Sequence, residues 1–552
     1  MFNQIALTGD LAPGVDDGAV FDDFYFPSLN SVGDVAFRAS LRSGDGPGAM
    51  EVDEDRSTAV FGPEAGAGST LSVLARAGDL APGVADGAVF DFFSSPQLNA
   101  SGDVAFNAVL RTGNGPGAGD VDASNDRVIV GPGSGSGMAL SVLARTGNPA
   151  PGVTDGAAFL TLGPTALTTT GDVTFTAFLR TGDGPGAGKV DFDNDGAFFG
   201  PRSDTGSALG ILVRERGPSP GVYDGSTIKY IQAFPITNSS GDIAFSAVIT
   251  TGVAVFGPRA GTGSRSGILV RDGAPAPGVT DVAEFGGFDY VTLNDTGDVA
   301  FITSLRTGDG LGAGDVDDTN QKAVFGPEAG AGSALGVLVR EGDPAPGVTD
   351  DAVFDHFGFI NLNAAGDIAF RAWLRGGEER VLGAPDPSNV AVFGPGAGAG
   401  SALDVLARAG DPAPGVDDGA VFRSFDGVRI NAAGTVTFGA ALRTGDEPGA
   451  GEVNINNQSA LFAYVNGVLE LIVREGDLFT VDLTDSLAET RTISHINSSG
   501  GFNDAGEMAL SLAFTDGTSG IFTVTIPEPG VGALLAMGIG LLMRRSAPSE
   551  TL

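Results

Sequence analysis

Apolar residues in this chain fall in short runs of period two, separated by turns of glycine, proline, asparagine and aspartate. That is the pattern of half-buried β-strands. In the stretch Val35 to Leu41, Val35, Phe37, Ala39 and Leu41 share one face, and Ala36, Arg38 and Ser40 take the other. No segment before residue 526 holds a helical period. The predicted fold class is therefore all-β.

One phrase recurs. It runs Asn30-Ser-Val-Gly33-Asp-Val-Ala-Phe37 and Asn99-Ala-Ser-Gly102-Asp-Val-Ala-Phe106, with further copies from Asn238, Asn294 and Asn363 and looser ones from Thr168, Asn431 and Asn503. Its glycines, at 33, 102, 171, 241, 297, 366, 434 and 506, are separated by 69, 69, 70, 56, 69, 68 and 72 residues. A register held over that distance marks a repeat architecture.

Each repeat predicts four strands. In the first copy these are Phe24 to Leu29, Val35 to Leu41, Ala59 to Phe61 and Leu71 to Arg76, with the Asn-x-x-Gly turn joining the first two. Four short antiparallel strands repeated radially predict a β-propeller. Phenylalanine and leucine on one face with alanine on the other suit face-to-face stacking of blades. In repeat four the second and third strands join directly through Thr250-Thr251-Gly252, where other repeats carry a long loop.

The eighth repeat runs out of strands after Ile526, while Ile5 to Gly14 copies Leu74 to Gly83. The expectation is an eight-repeat, β-propeller-like ring of four-stranded blades over residues 1–525, in which residues 3–9 complete the last blade. An open array of small β-sandwiches is the alternative.

Composition narrows the function classes. Glycine is 88 of 552 residues with 31 prolines, but 42% of residues are hydrophobic and 36 are Phe, which favours a folded chain over a disordered one. A net charge of −38 repels phosphate backbones, so nucleic acid is not an expected partner. The absence of cysteine excludes disulfides, thiolate metal sites and a cysteine nucleophile.

Residues from 526 onward break the pattern. Pro527-Glu528-Pro529 is followed by Gly530 to Met543, fourteen residues without charge, and then Arg544-Arg545. As a helix that run covers about 21 Å, short of the roughly 30 Å hydrocarbon core of a bilayer. These elements, in this order, resemble the PEP-CTERM sorting domain, also known as an ice-binding-protein C-terminal motif. The Asn-x-x-Gly-x-x-Ala-Phe phrase likewise resembles tandem repeats of such surface proteins.

The resemblance implies several things. Residues 526–546 would form a sorting segment with a short C-terminal hydrophobic helix, transiently inserted in the inner membrane, followed by a tail at 547–552. An exosortase and the export machinery would be partners, and the body would reach the surface or matrix of an exopolysaccharide-producing bacterium. Proteins of this kind carry a secretory signal. Met1 to Asp10 has neither a basic nor an apolar region, so a signal is expected upstream of Met1.

Candidate chemistry is sparse. The loop between second and third strands is rich in glycine and acid, and a propeller would place it on the same face as the blade-to-blade linkers. Asp191-x-Asp193-x-Asp195-Gly196 matches the opening of a calcium loop, so these three aspartates are the candidate metal ligands and calcium the candidate ion. Position twelve is Arg202, so this is no EF-hand, and a solvated turn is the simpler reading.

His356 and His495 lie in different repeats and in no catalytic motif, and Trp373 reads as core. No catalytic residue is nominated. The leading expectation is a non-enzymatic surface or matrix scaffold that binds extracellular polysaccharide. The alternative is a secreted carbohydrate-active enzyme, a glycosidase or lyase, on the same ring.

Overall fold

A computed structural model of the protein describes residues 2–526 except 45–51, 65, 114–118, 134–138, 183–187, 202–208, 223, 233–234, 260–263, 280–281, 309–314, 329, 377–388, 446–450 and 483–487. The sorting-motif residues Pro527, Glu528, Pro529, Arg544 and Arg545 lie outside the described residues. Among the described residues no helix is long and apolar enough to cross a membrane.

The alternating runs form eight antiparallel sheets, the blades of a β-propeller. In blade one the strands are β2 (Val20–Leu29), β3 (Val35–Arg42), β4 (Thr58–Pro63) and β5 (Leu71–Arg76), paired in that order. First strands lie innermost. Across the boundary of blades five and six, the rings of Tyr290 and Phe359, both on first strands, are 5.1 Å apart.

β2 begins at Val20, ahead of the expected start at Phe24, because its register shifts between Phe21 and Asp23. The bulge adds one residue, so Phe21 and Phe24 both turn to the core although three apart. They pack with Phe37 and Phe61, each ring centroid 4.9–5.9 Å from its neighbours. This quartet, with variants, recurs around the ring and accounts for the phenylalanine count. Blades meet as the alternation predicts, Phe90, Phe93 and Phe106 of blade two packing on Ala36, Val60 and Ala75 of blade one.

The ring closes through the N-terminus. β1 (Phe2–Leu7) pairs with Ser519–Thr525, making it the outer strand of blade eight. That blade also carries a strand absent from the others, Leu478–Asp482, whose Phe479 packs edge-on against Phe2 at 5.0 Å.

The recurring phrase is what locks blade to blade. Asn30 Oδ1 accepts the N–H groups of Val32 and Asp34, closing its own turn, while its Nδ2 donates to Asn99 O of the next blade at 3.0 Å. Asn99 reaches Thr168 O, Asn238 reaches Asn294 O, and Asn294, Asn363 and Asn431 each reach the following copy. Asn503 returns to Asn30 O at 3.0 Å. Where blade three has Thr168 in place of asparagine, Thr169 N donates to Ser239 O at 2.9 Å instead. These buried amides form one hydrogen-bonded circuit around the ring.

Candidate functional site

Side chains that repeat from blade to blade are largely consumed by structure, so a site has to be sought among those that do not. On the turn face, Asp34 caps Gly68 of its own blade's Gly-Ala-Gly turn, and Ala67 of that turn donates to Ser101 O in the next blade. Blades five and six repeat this contact, Ala331 donating to Ala365 O. This face is interlocked.

The opposite face carries the linkers and the long loops. Arg76, at the end of β5, donates from Nε to Arg56 O in the long loop (2.9 Å) and from Nη1 to Asp17 in the linker (2.5 Å). Both segments therefore emerge on one face, as expected. Equivalent clamps join Arg145 to Asp86, Arg214 to Asp155, Arg271 to Asp224, Arg408 to Asp350 and Arg474 to Asp418 at 2.6–2.9 Å. Much of the acidity on this rim is thus neutralised internally. The arginine that ends the fourth strand in blades one to seven, from Arg76 to Arg474, is the sequence signal for these clamps.

Burial acts to raise the Asp17 and Asp86 carboxyls, but the bonds from arginine and from backbone N–H outweigh it and hold both below the ordinary range. A carboxyl depressed in the folded state adds stability above its unfolded pKa of about 4, and that stability is lost as pH falls through the folded value. Thermal stability should therefore drop steeply below about pH 4. Asp17→Asn, which leaves a buried arginine without its counter-charge, should cost about 3 kcal/mol at pH 7. Denaturant titrations of both proteins at pH 7 and pH 3 check this, the gap between them narrowing in acid.

The candidate calcium ligands sit on this rim. Asp191 Oδ1 accepts Asp193 N at 3.2 Å, and Asn194 Oδ1 accepts Asp191 N at 2.9 Å. Arg216 pairs with both Asp191 and Asp193. The loop is a closed turn held by an arginine, and among the described residues no group of three or more acidic or histidine side chains is placed to hold a metal.

The inner wall is more varied than either face, although Asp22, Asp91 and Asp355 recur there and pair with Arg42, Arg111 and Arg375 at the ends of the second strands. At the bulge of each first strand the exposed residues are Asp22, Asp91, Leu160, Lys229, Gly286, Asp355, Arg423 and Ser494 in blade order. Aromatic rings stand exposed beside them, Phe92 at 46%, Tyr230 at 56% and Phe359 at 73%. Phe26 is 49% exposed and takes a positive φ of 34°, a conformation a bulky residue adopts only under constraint. Arg38 lies over Tyr25 at 4.0 Å and Phe92 at 4.6 Å, bridging blades one and two.

Both histidines occupy the same register position on this wall. His356 lies 5.4 Å from Trp373, which packs against the core beneath Arg371. His495, 70% exposed, directs Nδ1 to the buried Glu475 at 3.4 Å. Glu215 and Glu341 hold the position equivalent to Glu475 at other blade boundaries. Burial pushes both carboxyls up, against the pull of backbone N–H groups. Simple alternation does not align the two histidines, because the bulge that places them at one register position interrupts its period.

Away from this wall, a groove of about 670 Å³ lies between the outer strands of blades four and five, with Asp224 and Arg271 paired in its lining.

No curated protein matches the chain. Puromycin hydrolase is 11% identical with a TM-score of 0.36, the match covering 89% of this chain and 61% of that one. Pyrococcus horikoshii acylaminoacyl peptidase is 8% identical at 0.33, covering 85% and 57%. Trypanosoma rangeli sialidase is 10% identical at 0.27, covering 100% and 64%. The chain thus spans about three fifths of the length of these proteins, and similarities this loose carry no argument about activity. A family model matches residues 2–188 and 124–533, and on that extent the chain belongs to DUF7453, a family of unknown function.

Proposed function

We propose that the protein is an exported, non-enzymatic binding scaffold whose inner wall takes extracellular polysaccharide. The segment from Pro527 onward would act as a sorting tail, inserted in the membrane until an exosortase removes it. The observation that carries this reading is the division of labour among side chains. Most repeated residues go into locks and clamps, whereas the variable ones stand exposed on one wall, the rings of Phe92, Tyr230 and Phe359 among them. Sugar rings present apolar faces and hydroxyl edges, which such a wall complements.

A glycan array with the folded ring, set against Phe359→Ala and Tyr230→Ala variants, tests the proposal. Binding reduced about tenfold in either variant is the expected result, corresponding to roughly 1.4 kcal/mol. The enzymatic alternative draws on one observation, the exposed His495 backed by buried Glu475, since an oriented histidine is the usual general base. Release of reducing sugar by the wild type and its loss in His495→Ala would replace the scaffold reading with that one.

A further inference from the structure

In a chain with 68 acidic residues against 30 basic ones, a partly buried arginine without a counter-charge is unexpected. Arg429, on the first strand of blade seven, is such a residue. Its side chain makes no hydrogen bond or ion pair with any described residue. Burial alone depresses its pKa, with no carboxylate near enough to offset the effect. Neighbouring positions show what the fold does with a cation when it needs one only for structure. Arg38 and Arg371 each donate to a carbonyl of the next blade, Phe93 O at 3.0 Å and Phe425 O at 2.7 Å.

Thr437 lies directly opposite Arg429 in the sheet register, so both side chains leave the same face, yet Thr437 Oγ1 is fully buried and accepts nothing from the guanidinium. Its counterpart in blade three, Thr174, meets Thr237 Oγ1 at 2.9 Å.

That face looks toward blade eight. In blade six the position equivalent to Arg429 is Asn361, whose amide crosses to Val428 O of the next first strand at 2.8 Å. The corresponding stretch of blade eight is Asn497-Ser-Ser-Gly-Gly501, which carries no charge. Ser498 Oγ lies 3.9 Å from where a Cβ on Gly427 would sit. The Arg429 guanidinium is left without an acceptor among the described residues, and an oxyanion would supply the missing counter-charge.

We propose that Arg429 forms an oxyanion-binding site on the inner wall, at the boundary of blades seven and eight, which takes the carboxylate or phosphate group of a small ligand. The planar fork of the guanidinium suits either group in bidentate fashion. This site does not require that the scaffold bind polysaccharide.

The test is a thermal-shift and calorimetric titration of the full chain with glucuronate, inorganic phosphate and, as a neutral control, glucose. Glucuronate or phosphate should raise the melting temperature and glucose should not; a response to only one anion identifies the group. Arg429→Met should melt higher than wild type without anion, because an unpaired cation has been removed, and should show no anion response. Arg429→Lys, which keeps the charge but loses the fork, should bind at least tenfold more weakly and stands in if the methionine variant does not fold. Absence of any anion response in the wild type, or an undiminished response in the variants, would overturn the proposal.

Discussion

Deleting residues 2–8 should destabilise the ring by on the order of 6 kcal/mol, a larger effect than any single core substitution is expected to have. β1 supplies five paired positions to the last strand of blade eight and buries Ala6 and Leu7 completely. Each fully buried large apolar side chain is worth about 1.5–3 kcal/mol, and Phe2 adds its contact with Phe479. Gln4 completes the closure, its amide exchanging hydrogen bonds with the backbone of Asp482 at 2.8 and 3.1 Å.

Loss of the strand also uncovers the edge of Ser519–Thr525, which invites pairing with another copy. Differential scanning calorimetry and size-exclusion chromatography of the truncated protein should show an earlier transition and new oligomers, and a peptide of residues 1–10 added in trans should reverse both. An unchanged melting temperature would falsify the closure.

Gly102→Ala should cost about 4 kcal/mol or more, an unusually large effect for one methyl group. Gly102 sits at φ +80°, and an added Cβ would fall within 3 Å of the backbone of Gly66 and Ala67 in the preceding blade. Neither strand can yield there, because Ala67 N donates to Ser101 O at 2.8 Å and the two turns move as one. Gly68 has a similar φ of +74° but nothing within 4 Å of its would-be Cβ. Gly68→Ala should therefore cost only about 1 kcal/mol, the backbone term alone. Parallel urea titrations of the two variants separate the steric from the conformational contribution, and equal losses would show that the turns are not interlocked.

Local chemistry made much of this legible in advance. Alternation in Val35 to Leu41 identified both faces of the second strand, because a strand's side chains have a fixed period wherever it packs. The copy of Leu74–Gly83 at Ile5–Gly14 located the closing strand, since each blade needs the same four pieces. Blade four's tight hairpin was readable from Thr250-Thr251-Gly252, and Ile249 does pair with Gly252.

The start of the first strand was misplaced because a bulge at Asp22 interrupts the alternation on which the reading relied. The strand Leu478–Asp482 belongs to a single blade, so repetition could not reveal it.

Periodicity and repetition were enough to give the number of blades, the four strands common to them and the partner of the first strand. Which residues face one another across blades depends on how the blades pack into the ring. The asparagine circuit joins residues 56 to 72 positions apart, and its last bond joins Asn503 to Asn30. The linker clamps join aspartates to arginines 59 positions later in blades one to three. Arg429 and Asn361 look alike as polar residues near the end of a strand, and the difference between them is set by the next blade. One finds a carbonyl and the other finds nothing, a distinction that arises only when the ring closes and fixes the neighbour.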